Sequence, residues 1–250
     1  MTTLRYDGAA PLRINKWLAQ SGVCSRREAE ALIADGAVYI DGERVDDPGR
    51  KIAPGQTLEV RREIEAGLTV IVHKPEGVVS AHPEPGQTEA AHLLTPDNWR
   101  GAGTAPATRG VSLPPVGRLD RDSRGLLLLS SDGVLAKAVI GPSSMLEKEY
   151  HVAAVGEITP RTLSVLRHGL HLDGRPLKPA KVTRLDDGRL RFVLTEGRNR
   201  QIRRMCALVG LDVVDLKRVR IGPLALGELP EGCWRALSAG ERAHLLMTDA

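Results

Sequence analysis

Asp120 lies in the run Val116-Gly117-Arg118-Leu119-Asp120-Arg121-Asp122-Ser123-Arg124-Gly125, directly followed by Leu126-Leu127-Leu128-Leu129. A glycine-flanked loop of this kind presents an arginine, Arg118, and a carboxylate. The apolar strand behind it fixes both on a rigid support. A single carboxylate can serve as a general base or as a covalent nucleophile. Asp122, two residues on, would share a face with Asp120 in extended chain. Such a pair would suit glycoside hydrolysis, which typically uses two carboxylates. The arginine-rich segment described next argues for a different substrate, and Asp122 is read as a brace for the loop.

Two more segments carry side chains suited to chemistry. Glu147-Lys148-Glu149-Tyr150-His151-Val152 reads as a strand that alternates from Tyr150 onward, and Tyr150 is one of only three tyrosines. In Glu196-Gly197-Arg198-Asn199-Arg200-Gln201-Ile202-Arg203-Arg204-Met205-Cys206, the residues Ile202, Met205, Cys206 and Val209 recur at helical spacing. Asn199 is the expected N-cap and Gly210 the expected end. Arg200, Arg203 and Arg204 then crowd a first turn, where the helix dipole disfavours cations. Local helix physics does not ask for them; an anion does, either a buried carboxylate or an RNA phosphate. Cys206 falls on the apolar face and is read as core. His151 is read as structural, and the seven histidines show no metal-binding spacing.

The elements that hold these residues form two units. From Pro11 to Val60, Ile14, Trp17 and Leu18 mark a first helix stopped by Gly22. Ser25 and Glu28 form a capping box for a second helix, with Ala29, Leu32 and Ile33 as its stripe and Gly36 as its stop. Val38 and Ile40 alternate as a strand, and Asp41-Gly42 signals a hairpin turn. Short strands follow near Arg44-Val45 and over Thr57 to Val60. Residues 61–67 read as a polar linker. A second unit over 68–240 opens with the strand Leu68 to Val72, broken by Lys74-Pro75-Glu76-Gly77, with Val78-Val79 as a candidate continuation. An excursion rich in Gly, Pro, Ala and Thr then carries one short helix near Ala90 to Leu94.

Composition narrows the partner. The 250 residues carry a net charge of +4, and between Arg189 and Arg220 there are nine Lys/Arg against three Asp/Glu. A concentrated basic stretch favours a polyanion. The first unit has seven Lys/Arg against eight Asp/Glu. Any RNA contact there must come from one face, formed by Arg13, Lys16, Arg26 and Arg27, the last two at a helix start suited to phosphate. Aromatic side chains are 3% of the chain, which argues against extensive base stacking. Three widely spaced cysteines, Cys24, Cys206 and Cys233, argue against both a disulfide framework and a zinc site and fit a reducing cytosol. With neither a signal-peptide pattern nor an apolar run of spanning length, the protein is expected to be soluble and cytoplasmic, without membrane association.

The stretches Arg13 to Leu18, Ser21 to Ala29 and Gly36 to Gly42 resemble the S4 RNA-binding domain. Gly117-Arg118-Leu119-Asp120, Lys148-Glu149-Tyr150 and Asn199 to Cys206 together resemble the three motifs of the RsuA-type family of pseudouridine synthases, and their wording is similar to its RluF branch. The resemblance runs from about Arg13 to Leu237. It implies isomerisation of a uridine in ribosomal RNA, that of the large subunit (23S), free or in a pre-ribosomal particle, by a monomer that needs no metal or organic cofactor. It assigns Asp120 as the catalytic carboxylate, by a route, nucleophile or base, that the residues leave open. Arg203 would pair with Asp120 and keep it ionised. Tyr150 would stack on the uracil and serve proton transfer at C5, and Ile202 would line the uracil pocket. Arg118 would fill the gap left by the flipped nucleotide, with Arg200 and Arg204 as further substrate-binding groups. The expected fold class is α+β, a small S4-like unit followed by a mostly antiparallel sheet domain with the active cleft across it. A non-catalytic RNA-binding or ribosome-assembly factor on the same scaffold is the competing function.

Overall fold

The structure is a computed structural model describing residues 1–63 and 66–247. Positions 64 and 65 of the expected linker therefore lie outside the described residues. The chain divides into two compact units, Met1–Gly67 with Asp132–Ala136, and Leu68–Ser131 with Lys137–Ala250.

In the first unit the order is β1 (Thr2–Arg5), β2 (Leu12–Arg13), α1 (Ile14–Gln20), α2 (Arg26–Ala34), β3 (Val38–Ile40), β4 (Glu43–Arg44), β5 (Lys51–Ile52) and β6 (Thr57–Val60). The capping box is formed as its residue types require: Ser25 Oγ accepts from Glu28 N at 3.2 Å, and Glu28 accepts from Ser25 N at 2.6 Å. Asp41 and Gly42 both hold positive φ, 49° and 84°, and join β3 to β4 as a two-residue turn. The helices bury Ile14, Leu18, Ala29 and Ile33 against Val38, Ile40, Leu58 and Val60. One strand falls ahead of the expected start at Pro11. Thr2–Arg5 pairs antiparallel with β6 as an edge of the sheet β1-β6-β3-β4. Four residues with half-buried alternation give too short a pattern to read without its partner.

The second unit comprises β7 (Thr69–Lys74), β8 (Pro115–Val116), β9 (Arg124–Ser130), α3 (Gly133–Ile140), β10 (Lys148–Val155), α4 (Pro160–Arg167), β11 (His171–Leu172), β12 (Arg175–Pro176), β13 (Lys181–Arg184), β14 (Leu190–Leu194), α5 (Gln201–Leu208), β15 (Asp212–Ile221), β16 (Leu224–Ala225), β17 (Trp234–Ala236) and α6 (Ala239–Met247). α3 begins within the segment that clusters with the first unit. A nine-stranded sheet runs β13-β14-β10-β15-β9-β7-β17, with β16 on β15 and β8 on β9. Its pairings are antiparallel except β15–β9, so the sheet is mixed and mostly antiparallel. Leu126 to Leu129 are fully buried on both faces, as a central strand demands. At the parallel contact Gly125 has φ 110°, and a Cβ there would stand 2.2 Å from the Arg218 carbonyl oxygen. Only glycine lets β9 and β15 approach this closely. The excursion after β7 carries two 3-10 turns, Ala90–Leu93 and Pro96–Asn98. No helix among the described residues is long and apolar enough to cross a membrane.

Candidate active site

Asp120 sits on the loop between β8 and β9. Its own carboxylate is about a third exposed, but both of its neighbours are held. Leu119 N donates to Ser80 Oγ at 2.9 Å, and Ser80 Oγ donates to Leu119 O at 2.7 Å. Gly77 N donates to Arg121 O at 2.8 Å. The segment that grips the loop is stiffened by Lys74, which is fully buried and donates Nζ to Pro75 O and Val78 O at 2.8 and 2.6 Å. Burial pushes the Lys74 ammonium down to about 8, although the charges of Asp120 and Asp122 oppose the shift.

A cavity of about 670 Å³ opens at this loop, with Asp120, Tyr150, Arg118, Arg200, Ile202 and Arg203 on its wall. Tyr150 comes from β10, nine-tenths buried, where a bulge separates it from Glu149. Ile202 comes from the first turn of α5, together with the buried Met205 and Cys206. Arg118 is exposed, with no hydrogen bond or ion pair among the described residues. Arg204 does not line the cavity. Its guanidinium is held by Asp173, at 3.0 and 2.6 Å, in the turn between β11 and β12. Arg13, Lys16, Arg26 and Arg27 belong to the first unit, all exposed and without an ion-pair partner among the described residues.

The expected Arg203–Asp120 pair is not made. Arg203 donates to the backbone carbonyls of Asp122 and Val213, and its Nε lies 3.3 Å from the Asp122 carboxylate. It fastens the loop through Asp122. The cation that comes within 4.0 Å of the Asp120 carboxylate among the described residues is Arg200, with Nη1 3.9 Å from Oδ2, and Arg200 gives its fork to Asp122 at 3.0 and 2.7 Å. That bond holds the Asp122 carboxyl below its usual range, against its partial burial. The N-cap also differs from expectation. It is Arg200, not Asn199, and its φ of 48° is left-handed, with no side-chain capping bond. This turn carries the Arg200 side chain back onto the loop. The loop before α5 is closed instead by Gln201, which accepts from Arg198 N and donates to Glu196.

One buried arginine behind the Asp120 loop escaped the sequence reading. Arg218, on β15, is 2% exposed. Its Nε donates to Leu126 O at 2.7 Å, while its Nη2 is buried with no hydrogen-bond partner. A Cβ on Gly117 would lie 4.0 Å from Arg218 Nη1, so the guanidinium stands behind the turn that opens the Asp120 loop. An unsatisfied buried donor is costly and calls for an explanation. The signal in the sequence was parity: Arg218 is two residues from Leu216, which lines the cavity.

A loop carboxylate, a strand tyrosine and an apolar residue on one cavity ringed by arginines can hold a flat, neutral base beside an anionic backbone. The comparisons with known proteins agree with that geometry. A family model described as RNA pseudouridylate synthase matches residues 68–208, and an S4 domain model matches residues 12–58. The dual-specificity RNA pseudouridine synthase RluF of Escherichia coli (strain K12) is 34% identical over 240 residues, covering 94% of this chain and 78% of the relative. Ribosomal large subunit pseudouridine synthase B of Bacillus subtilis (strain 168) is 34% identical over 243 residues, 93% of this chain and 95% of the relative. A solved crystal structure of a pseudouridylate synthase matches with a TM-score of 0.65 at 30% identity, covering 94% of this chain and 99% of that one. With the Asp120 loop, the Tyr150 strand and the α5 helix all falling inside the matched span, the chain belongs to the RNA pseudouridylate synthase family and carries an S4 domain ahead of its catalytic fold.

Proposed function

We propose that the protein converts a specific uridine of large-subunit (23S) ribosomal RNA to pseudouridine, acting as a cytoplasmic monomer on RNA or on a pre-ribosomal particle. The observation that carries the reading is the cavity on which Asp120, Tyr150 and Ile202 meet. The names of the similar enzymes from Escherichia coli and Bacillus subtilis support the substrate class. In this reading residues 11–60 are the RNA-binding domain, with Arg13, Lys16, Arg26 and Arg27 on phosphates, and residues 68–240 are the catalytic domain.

The reaction breaks the bond from C1′ to N1, turns the uracil and joins C1′ to C5. It needs no redox change and no net hydrolysis, so the chain requires no cofactor. The target leaves its stack, at a cost that Arg118 offsets by filling the gap. Asp120 acts at the sugar as nucleophile or base. Tyr150 and Ile202 hold the uracil, and Tyr150 serves the proton at C5. Arg200 and Arg204 hold phosphates. Arg203 is a positioning residue, because it touches the loop through Asp122. Arg218, whose Nη2 is unpaired and whose Nη1 stands behind Gly117, is the group we assign to take the Asp120 carboxylate once substrate closes the loop.

The test is Asp120→Asn on unmodified ribosomal RNA, with pseudouridine read by carbodiimide labelling. The amide keeps the shape and loses both roles of the carboxylate. Product should be absent while RNA binding stays within about twofold. Turnover within tenfold of wild type would remove Asp120 from the chemistry. Full RNA binding by the wild-type protein with no product on any ribosomal RNA would favour the ribosome-assembly reading.

A further inference from the structure

Two arginines assigned to phosphates already hold an oxyanion from within the chain. Arg200 gives both Nη atoms to the two oxygens of Asp122, and Arg204 gives both of its own to the two oxygens of Asp173. A guanidinium fork presents the same pair of parallel donors to a carboxylate as to a phosphate. The partners are distant in sequence, 78 and 31 residues away. Neither pair results from helix spacing.

Both pairs are open to solvent. Side-chain exposures are 42% and 39% for Arg200 and Asp122, and 35% and 68% for Arg204 and Asp173. Exposed pairs contribute little to stability and are readily exchanged. The contrast within the same unit is Glu149, 12% exposed, which takes both Arg191 and Arg220 and serves as a structural tie. Arg200 is also held in a left-handed backbone conformation that its helix does not use for capping. That conformation lays its fork on Asp122, with Asp120 3.9 Å away, at the wall of the cavity.

We propose that Asp122 and Asp173 occupy, in the free protein, the anion positions that RNA phosphates take on Arg200 and Arg204, so that substrate binds by exchanging carboxylate for phosphate. The inference rests on the functional reading above and adds to it a step that RNA must complete. A polyanion that fails to reach both forks leaves them closed on their own carboxylates. RNA that reaches both takes Arg200 off Asp122, two residues from Asp120, while Arg203 keeps its bond to the Asp122 carbonyl, and so couples backbone capture to the charge beside the catalytic carboxylate.

The experiment uses the full chain and an unmodified large-subunit ribosomal RNA transcript, with affinity measured over a salt series. Asp122→Asn and Asp173→Asn should each tighten binding about two- to fivefold near 0.1 M salt, the range expected for release of an exposed pair. The gain should vanish when the partner is also changed, in Asp122→Asn with Arg200→Gln and in Asp173→Asn with Arg204→Gln. Glu76→Gln removes an exposed carboxylate that pairs with no arginine among the described residues, and should change affinity less. If the gain persists without the arginine, or equals that of Glu76→Gln, the effect is general charge and the exchange is wrong. Unchanged affinity in both aspartate variants also overturns it. Asp173 lies in an exposed hairpin turn, so its arm stands even if Asp122→Asn disturbs the catalytic loop. Absence of RNA binding by the wild type would overturn the functional reading itself, a result distinct from wild-type binding with unresponsive variants.

Discussion

Asp120 is positioned through its neighbours, and that determines which substitutions should hurt. Ser80 makes two hydrogen bonds to Leu119 from a buried site. Ser80→Ala leaves the Leu119 N–H buried and unpaired, at a cost of about 1–3 kcal/mol. Because the loop then loosens while every group that touches substrate remains, kcat should fall about tenfold or more while KM changes little; steady-state kinetics and thermal unfolding together check this. Arg203 and Arg218 separate by the same logic. Lysine keeps the charge and loses the fork. Arg203→Lys should lower kcat moderately and reduce stability, because the carbonyls of Asp122 and Val213 lose their donor. Arg218→Lys should cost about a hundredfold in single-turnover rate with a smaller effect on RNA affinity, the size expected when a preorganised charge is withdrawn from a reacting centre. Equal effects from the two variants would contradict the assignment of Arg218 to Asp120. The motif wording brought Asp120, Tyr150 and Ile202 to one cavity in advance. The resemblance pairs Arg203 with Asp120, whereas the structure ties it to Asp122, because the two carboxylates lie two residues apart on a loop whose path only tertiary packing sets.

At the scale of elements, β10 carries both the tyrosine and the main electrostatic tie of the sheet. Glu149, one residue before Tyr150, receives Arg191 from β14 and Arg220 from β15. The Arg191 hydrogen bond first, then Arg220, hold its carboxyl down at about 2, against its burial, from an ordinary value of 4.5. A carboxylate with a depressed folded pKa contributes stability that is fully present above the unfolded value and lost as pH falls through the folded one. The contribution should therefore be intact at neutral pH and disappear between about pH 4.5 and 2. Allowing for the exposure of Arg191, it is on the order of 1–2 kcal/mol. Glu149→Gln should unfold more easily than wild type at pH 7, and denaturant curves for the two should converge as pH approaches 2. Elements with local chemistry were legible in the sequence: the Ser25–Glu28 box, the Asp41-Gly42 turn and the apolar face of α5. Those that depend on a distant partner were not. β1 exists because β6 offers it an edge. Lys74 ends a buried strand instead of opening a loop because two carbonyls of the following turn come back to meet it. The Asn199 cap was displaced because Arg200 takes the left-handed turn that directs it to Asp122.

The whole molecule joins two units, each with its own core. The surface expected to meet RNA in the first unit consists of side chains with no competing ion-pair partner among the described residues. Replacing Arg13, Lys16, Arg26 and Arg27 together with glutamine should weaken RNA binding and flatten its salt dependence, by up to about 0.7–0.9 in logarithmic slope for each phosphate no longer neutralised. The single-turnover rate at saturating RNA should be preserved, because none of the four lines the catalytic cavity. An unchanged salt slope would mean that the S4 domain does not anchor the RNA. The split also gives the protein a property unrelated to its reaction. All three cysteines are free and buried, Cys24 in the first unit and Cys206 and Cys233 in the second. Burial raises the Cys24 thiol to about 11 and the Cys206 thiol to about 12, so neither forms appreciable thiolate at neutral pH. An alkylating reagent should modify them only when the surrounding core opens. The chain thus carries an internal clock for each unit: the labelling rate of Cys24 times the breathing of one core and that of Cys206 the other, and mass spectrometry of a single untagged sample can show which yields first and whether bound RNA slows either.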